Sequence, residues 1–239
     1  MPHPLDGAFK RVNRADVHIR ELETLVERFR KQYEYEIVPE NNLTERQILQ
    51  HFFDKKSIPI MGIYNRPVDE IPEDIPIIVG ETVYNLRASL DYLVYELSGR
   101  RSGTQFPIED CKLSKDGKYG FDTRRKTFLN GLTDAHVAAI EALQPYAGCK
   151  WAKTLRDISN PDKHRHLAIV HSNWEETITF LDGSENSPKE ADISYPERAV
   201  DLKHTVNVTL PDGAPIIELL KFVKSSIAGV LITFESEFK

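Results

Sequence analysis

Leu5, Val12, Ile19 and Val26 fall seven residues apart, and Ala8, Ala15, Leu22 and Phe29 form a partner series between them. A seven-residue repeat with two apolar positions lays one stripe along an α-helix, and that stripe must be covered by other helices. The pattern predicts a helix from Leu5 to about Gln32, with Arg11, Arg14, Arg20, Glu21, Glu23 and Arg28 on its other faces. Two further stretches repeat the theme. Val79, Val83, Leu86, Leu90, Leu93 and Leu97 mark a helix from about Pro76 to Leu97. Ile216, Leu220, Val223, Ile227, Leu231, Phe234 and Phe238 mark a last helix, opened by Pro215. Proline suits a first helical turn because an N–H there has no intrahelical acceptor.

Shorter elements fill the space between. Thr133 or Asp134 caps a helix that runs through Val137, Ile140 and Leu143 and ends near Pro145. Another begins near Cys149, with Trp151, Leu155 and Ile158 on one face, and Asn160-Pro161 either ends it or caps a new turn. Residues 98–128 read as irregular. Alternation predicts strands at 33–38 and 202–210, and residues 58–64, 167–170 and 177–180 also read as strands, with Pro59 favouring a sheet edge. The expected fold is α+β: a helical bundle of about five helices with a small antiparallel sheet at one end, forming one domain over residues 1–239.

A net charge of −6 argues against a generally cationic surface that coats nucleic acid, although a local basic groove is compatible with it. The two cysteines, Cys111 and Cys149, belong to no CxxC or Cys/His zinc pattern, which fits a reducing compartment. Met1-Pro2-His3-Pro4 does not begin a basic-then-apolar leader, and no run of about 18 apolar residues exists. The expectation is a cytoplasmic protein with no membrane partner. Glycine-rich phosphate loops, Gly-x-Ser-x-Gly and His-Glu-x-x-His are absent, which removes several large enzyme classes.

Polar chemistry concentrates in two segments. In the first, Asn85 to Asp91, Arg87 and Asp91 are four apart and share a helical face bordering the apolar stripe. A guanidinium there is partly buried and needs a carboxylate partner. It is either an orienting ion pair inside the bundle or a binding group for phosphate or carboxylate, posed by Asp91 with Asn85 alongside. The second segment is Asn160-Pro161-Asp162-Lys163-His164-Arg165-His166. If extended, Asp162, His164 and His166 point to one side and offer three ligands to a divalent metal. If helical, Asp162 and His166 pair four apart. Imidazole is also the natural acid or base at neutral pH. The bland reading is a polar cap joining helix to sheet.

Lys112, Lys115, Lys118, Arg124, Arg125 and Lys126 form a basic run, with Lys150, Lys153 and Arg156 further on. If these meet in space they make an anion-binding patch; otherwise they are solvated lysines and arginines on a loop. His171 and His204 read as single histidines at strand edges. His18, His51 and His136 are placed on helical or loop surfaces.

An Asn-Leu-Arg-x-x-Leu-Asp-x-Leu helix (Asn85 to Leu93), then Phe106-Pro107-Ile108, then Gln144-Pro145, then Leu155 to Arg165 with its Asn-x-Asp-Lys-His-Arg ending form a recognisable series. Over roughly residues 5–170 this resembles an uncharacterised bacterial protein family. More distantly, a helical bundle with a polar Arg/His site is similar to the HEPN superfamily, many of whose members are metal-independent RNases. That resemblance implies an arginine, four to six residues, then a histidine, usually on a helix. Arg165 and His171 carry that spacing.

Three functions follow as expectations. The first is an RNase-like or phosphate-ligand-binding protein without a cofactor, in which His164, His166, Arg165 and Arg87 are catalytic and Asn85, Asp91, Lys163 and Asn160 bind RNA or a phosphate-bearing small molecule. The second is a metal-dependent hydrolase using Asp162, His164 and His166. The third is a non-catalytic binding or regulatory protein, which includes homo-oligomers. The catalytic reading in which Arg87 takes part requires residues 85–91 to meet residues 160–166.

Overall fold

The computed structural model describes residues 3–31, 38–39, 60–62, 71–163, 171–180 and 200–238, with side chains at 3–31, 71–159 and 207–238. The chain divides into two compact units, one of Met1–Leu25, Pro72–Val170 and Leu210–Lys239, the other of Val26–Ile71 and His171–Thr209. Six α-helices are described. They are α1 (Asp6–Lys31), α2 (Asp74–Leu97), α3 (Phe121–Phe128), α4 (Asp134–Ala142), α5 (Lys150–Lys163) and α6 (Ile216–Glu235). Among the described residues no helix is long and apolar enough to cross a membrane.

The seven-residue stripe of α1 is buried at every predicted position from Leu5 to Phe29. Asp6 in the first turn and Arg28, Arg30 and Lys31 in the last complement the helix dipole. In the first unit, α2 packs against both α5 and α6, and α5 packs against α6. Leu86, Leu90 and Leu93 of α2 are wholly buried, each worth about 1.5–3 kcal/mol by its removal from water. Asp16 of α1 pairs with Lys224 of α6, and Glu23 lies 2.6 Å from Lys221. The Lys224 and Arg20 hydrogen bonds hold the Asp16 carboxyl below its ordinary pKa.

Helix boundaries follow local chemistry. Thr133 caps α4, its hydroxyl accepting from the His136 amide at 3.2 Å. Ser98 ends α2, donating its amide to Val94 O at 2.9 Å before Gly99 and Arg100 turn the chain at φ 69° and 67°. The predicted stripe of α6 is buried from Ile216 to Phe234, while Phe238 lies half-buried in a terminal 3₁₀ turn.

Three local expectations are corrected. Residues 98–128 are not irregular throughout, because α3 covers the last eight. Only its first residue, Phe121, is buried, so the helix has too little apolar periodicity to announce itself. Asn160-Pro161 does not end the fourth predicted helix, since α5 continues through Lys163. His18 is not on a surface: it is 4% exposed.

In the second unit the strands form two separate antiparallel pairs. One joins β1 (Val38–Pro39) to β2 (Ile60–Gly62), and the other joins β3 (His171–Phe180) to β4 (Val200–Thr209). The longer ladder runs from His171 opposite Thr209 to Phe180 opposite Val200. His204 therefore sits within β4, opposite Glu176, rather than at a strand edge. The predicted strand at 167–170 and most of those at 33–38 and 58–64 lie outside the described residues.

Candidate functional site

Arg87 and Asp91 turn toward the same stretch of backbone. Arg87 Nη2 donates to the Phe106 carbonyl at 2.7 Å, and Asp91 Oδ1 accepts from the Phe106 amide at 2.8 Å. Burial lowers the pKa of the Arg87 guanidinium, against the pull of Asp91 and Glu109. Its Nε is buried and has no hydrogen-bond partner. The same segment is gripped from its other end by Gln144, which is 0% exposed. Gln144 Oε1 accepts from the Glu109 amide at 2.9 Å, and its Nε2 donates to Pro107 O at 2.9 Å and Ile140 O at 3.0 Å. The residues that carry the family resemblance at Arg87, Asp91, Phe106–Ile108 and Gln144 thus act on one another. Three polar side chains serve as brackets for an extended segment that forms no ladder.

Part of the basic run is matched by acids. Lys112 lies 2.7 Å from Glu141, Lys118 lies 3.8 Å from Asp116, Arg124 lies 3.6 Å from Glu109 and Arg125 lies 3.4 Å from Asp122. Arg156 reaches Asp110 and Asp157. Burial raises the Glu109 carboxyl above its ordinary pKa, opposed first by Arg124. These pairs involve five of the nine cations, Lys112, Lys118, Arg124, Arg125 and Arg156.

Asn160, Asp162 and Lys163 lie on the helical backbone of α5, so the extended arrangement does not apply up to Lys163. His164, Arg165 and His166 lie outside the described residues, as does the predicted meeting of 160–166 with 85–91. Among the described residues no group of three or more His, Cys, Asp or Glu side chains is arranged to hold a metal. His171, the histidine of the HEPN-type spacing, opens a strand rather than sitting on a helix.

A site that the sequence reading missed lies between α1 and α2. An open groove of about 520 Å³ is lined by Arg11, Arg14 and His18 from α1 and chiefly by Ile77, Glu81, Tyr84 and Asn85 from α2. Arg11 Nη1 donates to Asn85 Oδ1 at 3.2 Å, and Asn85 Nδ2 donates to Glu81 O at 2.8 Å. The Arg11 guanidinium stands 5.9 Å from the Tyr84 ring and 5.8 Å from the Tyr92 ring, within cation–π range. A Cβ at Gly7 would meet Tyr92 ring atoms at 2.8 Å, so the missing side chain gives the ring its seat on α1.

His18 Nδ1 is buried without a hydrogen-bond partner. Carboxylate oxygens of Glu81 and Glu21 stand 3.5 and 3.6 Å away, too far for good hydrogen bonds. Neither Arg11 nor Arg14 is paired with a carboxylate among the described residues. The sequence does hold a signal for this site. Arg11 and His18 are themselves seven apart, on the column that flanks the buried stripe of α1.

No protein-family model, no curated protein and no solved structure matches the chain. The chemistry of the groove therefore rests on its geometry alone.

Proposed function

We propose that the protein binds a phosphate-bearing ligand through an Arg/His site in the α1–α2 groove. Arg11 and Arg14 supply the cations, Asn85 fixes Arg11, and His18 is the acid or base. One observation carries this reading. In an acidic protein, these two arginines line an open groove without a carboxylate partner among the described residues. A buried imidazole with an open Nδ1 borders the same space.

An RNase-like reaction is the second reading. It is favoured by the six residues between Arg11 and His18 on one helix, the spacing that the HEPN resemblance implies. His18 would take the proton of a 2′-hydroxyl while Arg11 stabilises charge developing on the phosphate oxygens, with no metal needed. His164, Arg165 and His166 remain part of the RNA proposal as further acid/base and cationic groups. Asp162, His164 and His166 remain the ligands of the metal-dependent alternative, which elemental analysis of purified protein decides. Free thiols at Cys111 and Cys149 suit the cytoplasmic location that goes with this reading. A homo-oligomer belongs to the same proposal, tested by light scattering.

The test of the groove is fluorescence anisotropy with a short labelled single-stranded RNA and pyrophosphate as competitor. The expected result is binding that weakens with salt and falls by about tenfold or more in Arg11→Gln and in Arg14→Gln, as for loss of a charge-assisted hydrogen bond. His18→Gln loses cleavage while its circular dichroism matches the parent. Wild-type protein that binds neither RNA nor pyrophosphate refutes the proposal and leaves the non-catalytic regulatory reading.

A further inference from the structure

The groove holds more than cations. Tyr84 lines it and is 62% exposed, a large aromatic surface on a helix whose neighbouring turns bury their apolar side chains. Ile77, also exposed, adds an apolar wall two turns earlier on α2. A guanidinium stands beside the Tyr84 ring, and Glu81 offers a carboxylate acceptor one turn before it. A simple oxyanion has no use for an aromatic face, an apolar wall or an acceptor carboxylate. A ligand with a flat ring, hydroxyl or amino donors and an anionic end uses all of them. The groove volume of about 520 Å³ falls in the range of small-molecule sites.

We infer that the ligand of this groove is a mononucleotide, its phosphate held by Arg11 and Arg14, its base stacked on Tyr84 and its donor groups facing Glu81. This inference rests on the phosphate-binding reading above and adds the base. Aromatic stacking is tolerant of base identity because every base has a π-face, so the assignment is to the nucleotide class rather than to one base. Tyr92 is a positioning residue: seated on Gly7 and 5.8 Å from the same guanidinium, it keeps Arg11 upright beside Tyr84.

Calorimetric titration of the full chain with AMP, ribose 5-phosphate and inorganic phosphate tests the inference. AMP is expected to bind about tenfold or more tighter than ribose 5-phosphate, the range of base stacking on an aromatic side chain. Tyr84→Ala removes that preference, while Tyr84→Phe keeps it. Tyr84 is exposed, so neither variant disturbs the core. Equal affinity of the wild type for AMP and ribose 5-phosphate overturns the inference but leaves the phosphate site standing. A preference for AMP that survives Tyr84→Ala also overturns it. If a short RNA displaces AMP and binds at least a hundredfold tighter, the single-nucleotide assignment falls in favour of the polymer. If none of the three small ligands binds, the phosphate reading itself loses its support.

Discussion

Replacing Asp91 with alanine should cost stability rather than ligand binding. Asp91 Oδ1 is the acceptor for the Phe106 amide at 2.8 Å, and the Phe106 side chain is wholly buried. An amide orphaned in such a place costs about 1–3 kcal/mol. The same carboxylate offsets the buried Arg87 guanidinium, and breaking a fully buried pair costs about 3–5 kcal/mol. Arg87 keeps its bond to the Phe106 carbonyl and also feels Glu109, so the upper end does not apply. The expected total for Asp91→Ala is about 3 kcal/mol. Asp91→Asn keeps an oxygen for the Phe106 amide and loses only the charge, so it should cost about half as much. Urea unfolding followed by circular dichroism reads the difference. With a slope of about 1–3 kcal/mol/M, the alanine variant should unfold at a midpoint lower by about 1 M or more, at unchanged slope. If its midpoint lies within about 0.2 M of the parent, the bracket is not structural. Loss of ligand binding at unchanged midpoint would return Asp91 to the binding site.

Other outcomes follow from the same geometry. Gln144→Leu leaves the Glu109 amide and the Pro107 carbonyl unsatisfied and should lower the melting temperature by roughly 6–12 °C, taking about 3 kcal/mol and 2–4 °C per kcal/mol; a shift under about 1 °C counts against it. Gly7→Ala gains helix propensity of about 1 kcal/mol but pushes the Tyr92 ring off its seat. Its unfolding midpoint should stay close to the parent's while ligand affinity falls, and an unchanged affinity removes Tyr92 from the site. The Glu109 carboxyl is raised above its ordinary 4.5 by burial, so the folded state holds that proton more tightly than the unfolded one. Its contribution to stability is therefore lost as pH rises from about 4.5 through the raised value. Glu109→Gln should be more stable than the parent at pH 7 and gain nothing at pH 4; the opposite order in matched unfolding curves rejects the assignment.

The helices were legible wherever one face is continuously apolar. The α1 stripe and the α6 stripe from Ile216 to Phe234 could be named residue by residue, because burial there repeats with the helical period. Short α3 escaped because a single buried phenylalanine is no period. The site was harder. Arg87 and Asp91 were correctly placed on one face of α2 and beside its buried stripe, yet their partner is a backbone group 19 and 15 residues away. A side chain that recognises main chain leaves no mark on the identity of the residue recognised. His18 was passed over because its burial comes from the neighbouring column of the heptad and from α2 packed across it. Both facts needed the second helix in place.

The order in which these helices leave the ribosome carries its own consequence. Helix α2 packs against α6, which is translated about 120 residues later. At about 5–20 residues per second, the greasy side of α2 waits roughly 6–24 s for its cover. During that interval the nascent polypeptide is a natural client for holding chaperones, and a variant that weakens α6 should reveal itself in the cell as lower soluble yield before any defect in the purified protein is measurable.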